Sequence, residues 1–548
     1  HNAADYDFST PIGGSTSDTH PGSGTTTLTS TNTYSGATNV AAGTLRAGAA
    51  SVLSTSSATT VANGGTLDLA GFDQTLSSLS NAGTVSLVGS APGTTLTITS
   101  AYVGNGGTLR LGTSLGDSSS ASDRLVLSGA SASASGTTQV RITNLGGLGA
   151  LTPGNGIEVI TATGGATTTA QSTKDAFSLA DGHVDAGAYE YRLYAADASG
   201  AGESWYLRST AMPTGPAVEP GTAPGPVVLY RTEVPLYAVV PEQFREMDFA
   251  MLGNLHQRVG DERASAGAGT AGGERQGWGR IISVDRDIAQ QGTVSPTSSG
   301  RLNGFQAGTD LWANPSWRTG LYAGQLEGDM DVNGFARGVV NYASGRNDLR
   351  SQYLGAYATW SQPGGLYVDS VLQAGRHRYT AYPSSGQAST GKGDSAVASI
   401  EAGQGFSIAP RWVVEPQLQL AYQHLSLDDS AISGASIQQD TDGGWIARAG
   451  VRIKGFFDAG PGTLQPYARL NLYKRSSGTD ITRFIGPAGS TDITSRTGGT
   501  SSELALGTTW QMSQGTSLYG ELGKLWDLGG DARTSSGVSG SIGVKVLW

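Results

Sequence analysis

The sequence predicts an all-β chain in three parts: a parallel solenoid, one α-helix of pore length, and a twelve-stranded antiparallel barrel that crosses a membrane. Three observations point there. Residues 537–548 set Val538, Ile542, Val544, Val546 and Trp548 on one face and Ser539, Ser541, Gly543 and Lys545 on the other. Such period-two alternation marks a strand with a different solvent on each side. Ending on it, at a carboxy-terminal aromatic, suits a barrel whose closing strand must be fully paired. Second, a Gly-Thr-Leu or Gly-Thr-Val tripeptide recurs through the first part. Third, eleven further alternating segments precede the last one.

Composition narrows the function classes. Of 548 residues, 82 are Gly and only 14% are charged, which favours a turn-rich β protein over a helical enzyme. No run of about 18 apolar residues occurs, so no helix is expected to cross a membrane, but this test does not see barrels. Cys is absent, so packing carries stability without disulfides. A net charge of −10 with dispersed basic residues argues against nucleic-acid binding. Residues 1–11 lack a basic start and an apolar stretch, so if the protein is exported the sequence is expected to be a mature or truncated form.

The solenoid occupies residues 1–122. Gly43-Thr44-Leu45, Gly65-Thr66-Leu67, Gly83-Thr84-Val85 and Gly107-Thr108-Leu109 recur at spacings of rung length. One short strand-turn-strand unit cannot bury its apolar face, but a stack can. Residues 123–210 are richer in aromatics. Arg124-Leu125-Val126-Leu127, Gln139-Val140-Arg141-Ile142, Ile157-Glu158-Val159-Ile160, residues 189–194 and Trp205-Tyr206-Leu207 read as strands of a module that caps the stack. Residues 211–240 read as a Pro/Gly linker.

The helix is expected over 241–259, within a segment 241–262. Pro241 suits a first helical position. Phe244, Met247, Met251 and Leu255 recur at helical spacing. At about 1.5 Å per residue it spans about 28 Å, the height of a bilayer core. Glu242, Arg245, Glu246, Asp248, His256 and Arg258 exclude lipid as its surroundings, whereas a polar channel would suit it.

From residue 275 onward come the barrel strands, centred near Arg280, Thr309, Tyr322, Gly355, Leu372, Glu401, Leu418, Val451, Leu470, Leu506, Leu522 and Val544. An even number fits bacterial barrels. Trp312, Trp317, Trp360, Tyr367, Trp412, Trp510, Tyr519 and Trp526 gather near strand ends, where interfacial girdles lie. Residues 361–364, 409–411 and 513–515 read as short turns; 327–347, 381–393, 427–442 and 475–500 read as long polar loops. Short turns on one side and long loops on the other is the outer-membrane pattern.

The order of these parts resembles a monomeric (type Va) autotransporter. Asn32-Thr33-Tyr34-Ser35-Gly36 leading to Gly43-Thr44-Leu45 looks like the passenger-associated transport repeat. Residues 177–193 are similar to the end of a pertactin-like passenger, and Trp412-Val413-Val414-Glu415-Pro416-Gln417 matches a strand with a Glu-Pro-Gln motif. The resemblance implies a right-handed parallel β-helix passenger fragment, an autochaperone module at 123–210, a lumenal α-helix and a 12-stranded transmembrane β-barrel translocator at 275–548. It implies outer-membrane lipid around the barrel, a passenger at the cell surface and export through the periplasm. Val544, Val546 and Trp548 would be read by the barrel-assembly machinery. Glu415 and Gln417, with Arg469 from the alternating strand near Leu470, would face the lumen beside helix residues Glu242, Arg245, Met247, Met251 and Asn254. Periplasmic chaperones, host surface ligands and a monomeric state complete the expected partners, with no nucleic acid. The passenger would be an adhesin or virulence-associated surface structure. The alternative is an esterase or protease passenger whose catalytic part lies upstream. The passenger is short for the family, eight or nine rungs by repeat length.

One tripeptide carries a catalytic pattern. Gly116-Asp117-Ser118 imitates an esterase motif, but its Asp-x-x-His partner is not present, so turn formation is the expectation. The six His residues lack metal-ligand spacing. Residues 145–149 lack the Lys-Thr or helix of a phosphate loop. No enzyme activity, cofactor or metal is expected. Asn254 is the one residue with a self-cleavage reading, since an Asn in the lumenal helix of some family members cuts the passenger free. Its ordinary reading is a solvated helix residue, and Gly253 and Leu255 do not form the Asn-Asn junction.

Overall fold

A computed structural model describes residues 4–211, 225–261, 274–460, 462–486 and 489–548. Two compact units emerge, one formed mainly by residues 1–231 and the other mainly by 232–548. Residues 212–224 of the linker read from the sequence lie outside the described residues, as does residue 262 at the end of the expected helix segment.

The first unit is a parallel β-solenoid. Its tripeptides land in register, with Thr25, Thr44, Thr66, Thr84 and Thr108 paired strand upon strand. The next residue of each repeat points inward, so Leu45, Leu67, Val85 and Leu109 stack as a fully buried column. That column is why a unit this poor in large side chains holds together: each rung covers the apolar face of the one before. Glycine is required where strands approach: Gly136 has φ +72, and a Cβ there would sit 2.0 Å from the Gly104 carbonyl oxygen.

The solenoid stops by changing strand direction. Arg124–Ser128 and Ile157–Thr163 pair in parallel, but Trp205–Arg208 joins Ile157–Thr163 antiparallel. Tyr189–Ala195 and Val184–Ala186 follow as antiparallel neighbours. Tyr102, Phe177 and Trp205 pack ring to ring beneath, with centroids 5.7 and 5.4 Å apart. All five strands expected between 123 and 210 are present.

The second unit is the closed barrel. Its twelve long strands, among the described residues, run from Gln276–Gln290 to Ser539–Leu547 in chain order, and the last pairs antiparallel with the first. Each expected strand centre lies within one of them. Alternation separates two solvents: along Trp412–Leu427, Leu418, Leu420 and Tyr422 are exposed outward, while Glu415, Gln417, Gln419 and Gln423 are buried inward.

Three expectations need correction. The polar segments taken for loops are largely β-structured. Trp317–Ala336 and Val339–Ser361 meet in a hairpin, and Ser430–Ile432, Ala435–Asp440, Gly478–Gly486 and Gly489–Thr497 form a separate four-stranded sheet. The apolar outer face ends with the lipid belt, but backbone groups still need partners beyond it. Tyr367 and Tyr519 do not join the aromatic girdle; they are 6% and 5% exposed and face inward, because parity along the strand, not nearness to its end, sets the face. The helix also differs. α1 spans Glu233–Leu252, eight residues earlier than expected, and α2 spans Leu255–Val259. Pro241 therefore lies inside α1, not at its start.

Candidate functional site: a helix held in the barrel lumen

Proline at 241 cannot donate to Tyr237 O, the partner its N–H would have had. The separate four-stranded sheet supplies that bond: Gln439 Nε2 donates to Tyr237 O at 3.1 Å, and Ser495 Oγ donates to Ala238 O at 3.0 Å. Asn347 Nδ2 donates to Leu236 O at 2.9 Å. This is why the helix runs through its proline.

The other end is treated the same way. α1 stops where Gly253 takes φ +58, leaving carbonyls without helical partners. Arg280 Nη2 and Gln306 Nε2 both donate to Met251 O, at 3.0 and 3.1 Å. Gln373 donates to Asp248 O and Gln419 to Gly253 O, each at 3.1 Å. Arg280 also reaches Gln257 O of α2 at 3.2 Å. A buried guanidinium at a helix C-terminus is favoured by the dipole as well.

Charged helix residues meet charged wall residues. Arg245 makes a bidentate bond to Asp480 at 2.6 and 2.7 Å. Glu246 accepts from Arg286 at 2.9 Å, pairs closely with Arg475, and accepts from Thr534 at 3.1 Å. Glu242 pairs with Arg475 at 3.1 Å. In α2, His256 contacts Glu415 at 2.8 Å and Arg258 pairs with Asp369 at 2.6 Å. Asp261 follows, close to Arg452, with Lys454 at 3.2 Å and Lys545 Nζ donating to its carbonyl at 2.6 Å. Phe244 stacks on His377 at 4.5 Å, and Met247 and Met251 are fully buried.

Of the other residues singled out from sequence, Gln417 donates to Glu415 at 2.6 Å, and Arg469 pairs with Glu521 at 2.5 Å and Glu503 at 3.4 Å. Both wall residues are buried inward. Val544, Val546 and Trp548 are exposed on the outer face, and Trp548 exchanges backbone hydrogen bonds with Arg275 at 3.0 Å. Asn254 is not a solvated helix residue. It is 3% exposed and is the N-cap of α2, its side chain accepting from Gln257 N while Gln257 Oε1 accepts from Asn254 N. Ser118 donates to Pro153 O, and Asp117 accepts from Ser119, as turn residues do.

Sequence spacing missed Arg280, Gln306, Gln373 and Asp480, because their partners are main-chain atoms or helix residues far away in the chain. It also missed two polar clusters. His377 contacts Ser351 and Ser395 at 2.8 Å and Asp248 at 3.4 Å, but His377, Ser351 and Asp248 are all 0% exposed, so this group packs the lumen. In the solenoid unit, His183, Asp185 and Glu190 converge. Their carboxylates also face cations, Arg192 on Glu190 at 2.6 Å and Arg231 on Asp185 at 3.7 Å.

A closed barrel with an apolar outside, a polar inner wall and a helix filling its lumen, in a chain that begins with a parallel solenoid, defines an outer-membrane translocator with a surface passenger. Residues 277–523 match the Autotransporter beta-domain, 74–193 the Autochaperone Domain Type 1 and 22–47 the Passenger-associated-transport-repeat. Three successive segments of the chain thus match autotransporter domains. The chain is 28% identical over 485 residues to the Adhesin BmaC autotransporter of Brucella suis biovar 1 (strain 1330), a match covering 80% of this chain and 13% of that protein. It is 27% identical over 380 residues to the Pertactin autotransporter of Bordetella bronchiseptica, covering 63% of this chain and 39% of that one. The chain thus spans well under half the length of these relatives. The transport unit of the autotransporter AIDA-I from Escherichia coli is 17% identical, covered completely by 58% of this chain at a TM-score of 0.42.

Proposed function

We propose that the barrel exports the chain's own N-terminal β-helical passenger to the cell surface, and that the passenger is an adhesin-type surface structure. The observation that carries the export half is the lumenal helix. It joins the barrel to the solenoid in sequence, and its backbone and charges are bonded to the wall along its length. Stacking of rungs outside offers a drive without nucleotide or cofactor, since each rung buries apolar surface only after it leaves the pore. Residues 123–210 would fold first and template the rest. Val544, Val546 and Trp548 would present the assembly signal to the barrel-assembly machinery, and periplasmic chaperones would hold the chain before insertion.

The adhesin half is supported by the relative whose printed name is an adhesin and by the polar β-helix itself. An esterase or protease passenger with its catalytic part upstream is the alternative. Asn254 serves as a helix cap in this reading, a choice supported by its capping box.

Pulse-labelled surface accessibility tests the order of export. Residues in 123–210 should become accessible before those near residue 30, and the reverse order would overturn the reading. Binding of cells displaying the passenger to host-cell surfaces tests its role. Display without any gain in adherence would remove the adhesin assignment.

A further inference from the structure

The outer wall carries a charge arrangement that neither passenger export nor the lumen uses. In the register of the antiparallel strands, Glu327, Arg350, Arg378 and Lys392 form one row across four neighbouring strands. All four are exposed outward. Arg378 thus has a like charge directly opposite on both sides, and such cross-strand pairs are unfavourable. Neighbouring cations are matched: Arg350 binds Glu327 at 2.8 and 2.9 Å, Arg376 lies 3.8 Å from Asp394, and Arg346 lies 4.0 Å from Asp329. Among the described residues, no ion pair reaches Arg378 or Lys392. Arg378 and Arg350 line a shallow surface depression of about 480 Å³ together with Glu327, Asp329 and Asp348; Asp348 stands directly opposite Asp329 and is paired with neither Arg378 nor Lys392.

Height decides what faces this row. The short turns, such as that around Gln362 and Gly365, mark the periplasmic end. From Trp360 near that end to Arg350 are ten residues. At about 3.3 Å per residue on a strand tilted about 40°, that is about 25 Å along the membrane normal, the height of a barrel's apolar band. Directly below the row the outward residues are Gln325, Gln352, Arg376 and Asp394, and beneath these Leu321, Leu354, Leu372 and Ile400 are exposed as lipid contacts are. The row therefore lies at the headgroups of the outer leaflet.

We propose that Arg378 and Lys392, with Arg350 beside them, bind the phosphate groups of a phosphorylated glycolipid of the outer leaflet. A dianionic phosphate between opposed cations removes the repulsion that the strand register imposes, and its charge-assisted hydrogen bonds are of the stronger kind. Acidic Asp329 and Asp348 lie one residue pair further outward, and Glu327, the acid of the row itself, is engaged by Arg350.

The test uses the full chain, purified in a neutral detergent, with the unfolding temperature of its heat-modifiable form as readout. Titration with bisphosphorylated lipid A should raise that temperature saturably. Dephosphorylated lipid A should not, and neither should inorganic phosphate. The variant R378Q/K392Q should need at least tenfold more lipid A for half the effect, while R301Q, which removes an exposed cation from a different strand pair, should respond as wild type. An equal response to dephosphorylated lipid A, to inorganic phosphate or to phosphatidylglycerol would overturn the proposal, as would an unchanged response of R378Q/K392Q. If that variant fails to insert, R378Q alone, with a smaller loss expected, decides the matter.

Discussion

Replacing Glu246 by Gln should loosen the helix in the barrel. Glu246 is 1% exposed and faces both Arg286, at 2.9 Å, and Arg475. Breaking a buried ion pair by removing one partner costs about 3–5 kcal/mol, because the remaining charge stays buried without compensation. Arg475 keeps Glu242 at 3.1 Å, so the lower end applies, about 3 kcal/mol. At about 1.4 kcal/mol per decade this raises the ratio of unplugged to plugged barrel about 140-fold. Single-channel recording in planar bilayers reads that ratio as open probability. The quadruple variant Glu242→Gln, Glu246→Leu, Arg286→Met, Arg475→Met removes the linked charges together, leaves Arg245 with Asp480, and should restore most of the closed state, since apolar replacement of a whole buried ion cluster is often neutral. An open probability for Glu246→Gln indistinguishable from wild type would refute the idea that these ion pairs hold the helix.

Other sites give sharper local outcomes. Tyr191→Phe removes a hydroxyl that bonds Gly116 O at 2.8 Å and Ala150 N at 2.7 Å; it should destabilise the solenoid unit by about 1–3 kcal/mol, read by protease resistance of the displayed passenger. Gly136→Ala should exceed the cost of about 1–2 kcal/mol for left-handed backbone, because its Cβ also meets Gly104 on the paired strand, and a silent substitution would refute that close approach. Deleting Trp548 should lower the heat-modifiable fraction in membranes more than it lowers any passenger activity, and normal insertion would contradict its role as an assembly signal. Asn254→Ala should cost about 1 kcal/mol as a lost cap and leave the size of the surface protein unchanged. Loss of a shorter surface species in that variant would instead identify a cleavage point.

The fold was legible wherever one periodicity met one solvent. Tripeptide spacing located the rungs because Leu45, Leu67, Val85 and Leu109 share one core, and alternation located the barrel strands because lipid and lumen select opposite residue types. The helix start was not legible. Residues Glu233 to Val240 contain Pro235 and precede Pro241, a composition that reads as linker until the Tyr237 and Ala238 carbonyls are seen to be satisfied from outside the helix. Loop segments failed for a related reason: polarity reports the end of the lipid belt and not the end of hydrogen-bonded structure. Within the site, Glu415 and Gln417 were reachable through their motif, whereas Arg280 and Asp480 were not, since nothing local distinguishes a wall cation or carboxylate from a solvated one.

Two kinds of bond hold the helix, and they differ in what they recognise. The ion pairs from Arg245, Glu246 and Arg258 need particular side chains on both partners. The amide, hydroxyl and guanidinium donors of Asn347, Gln439, Ser495, Gln373, Gln306 and Arg280 end on main-chain carbonyls, which every residue carries. A wall rich in such donors can solvate any polypeptide in the lumen without preferring one. On the proposed export route the ion pairs would then add the preference, so that passage would be tolerant while arrest would be specific to the segment that brings Arg245, Glu246 and Arg258 opposite their partners. Proline at 241 and the break at Gly253 sharpen that arrest, because both free carbonyls at heights where the wall already offers donors. The plugged state is thus selected by register, and a shift of the helix by even one residue would separate its carbonyls and its charges from their partners at once.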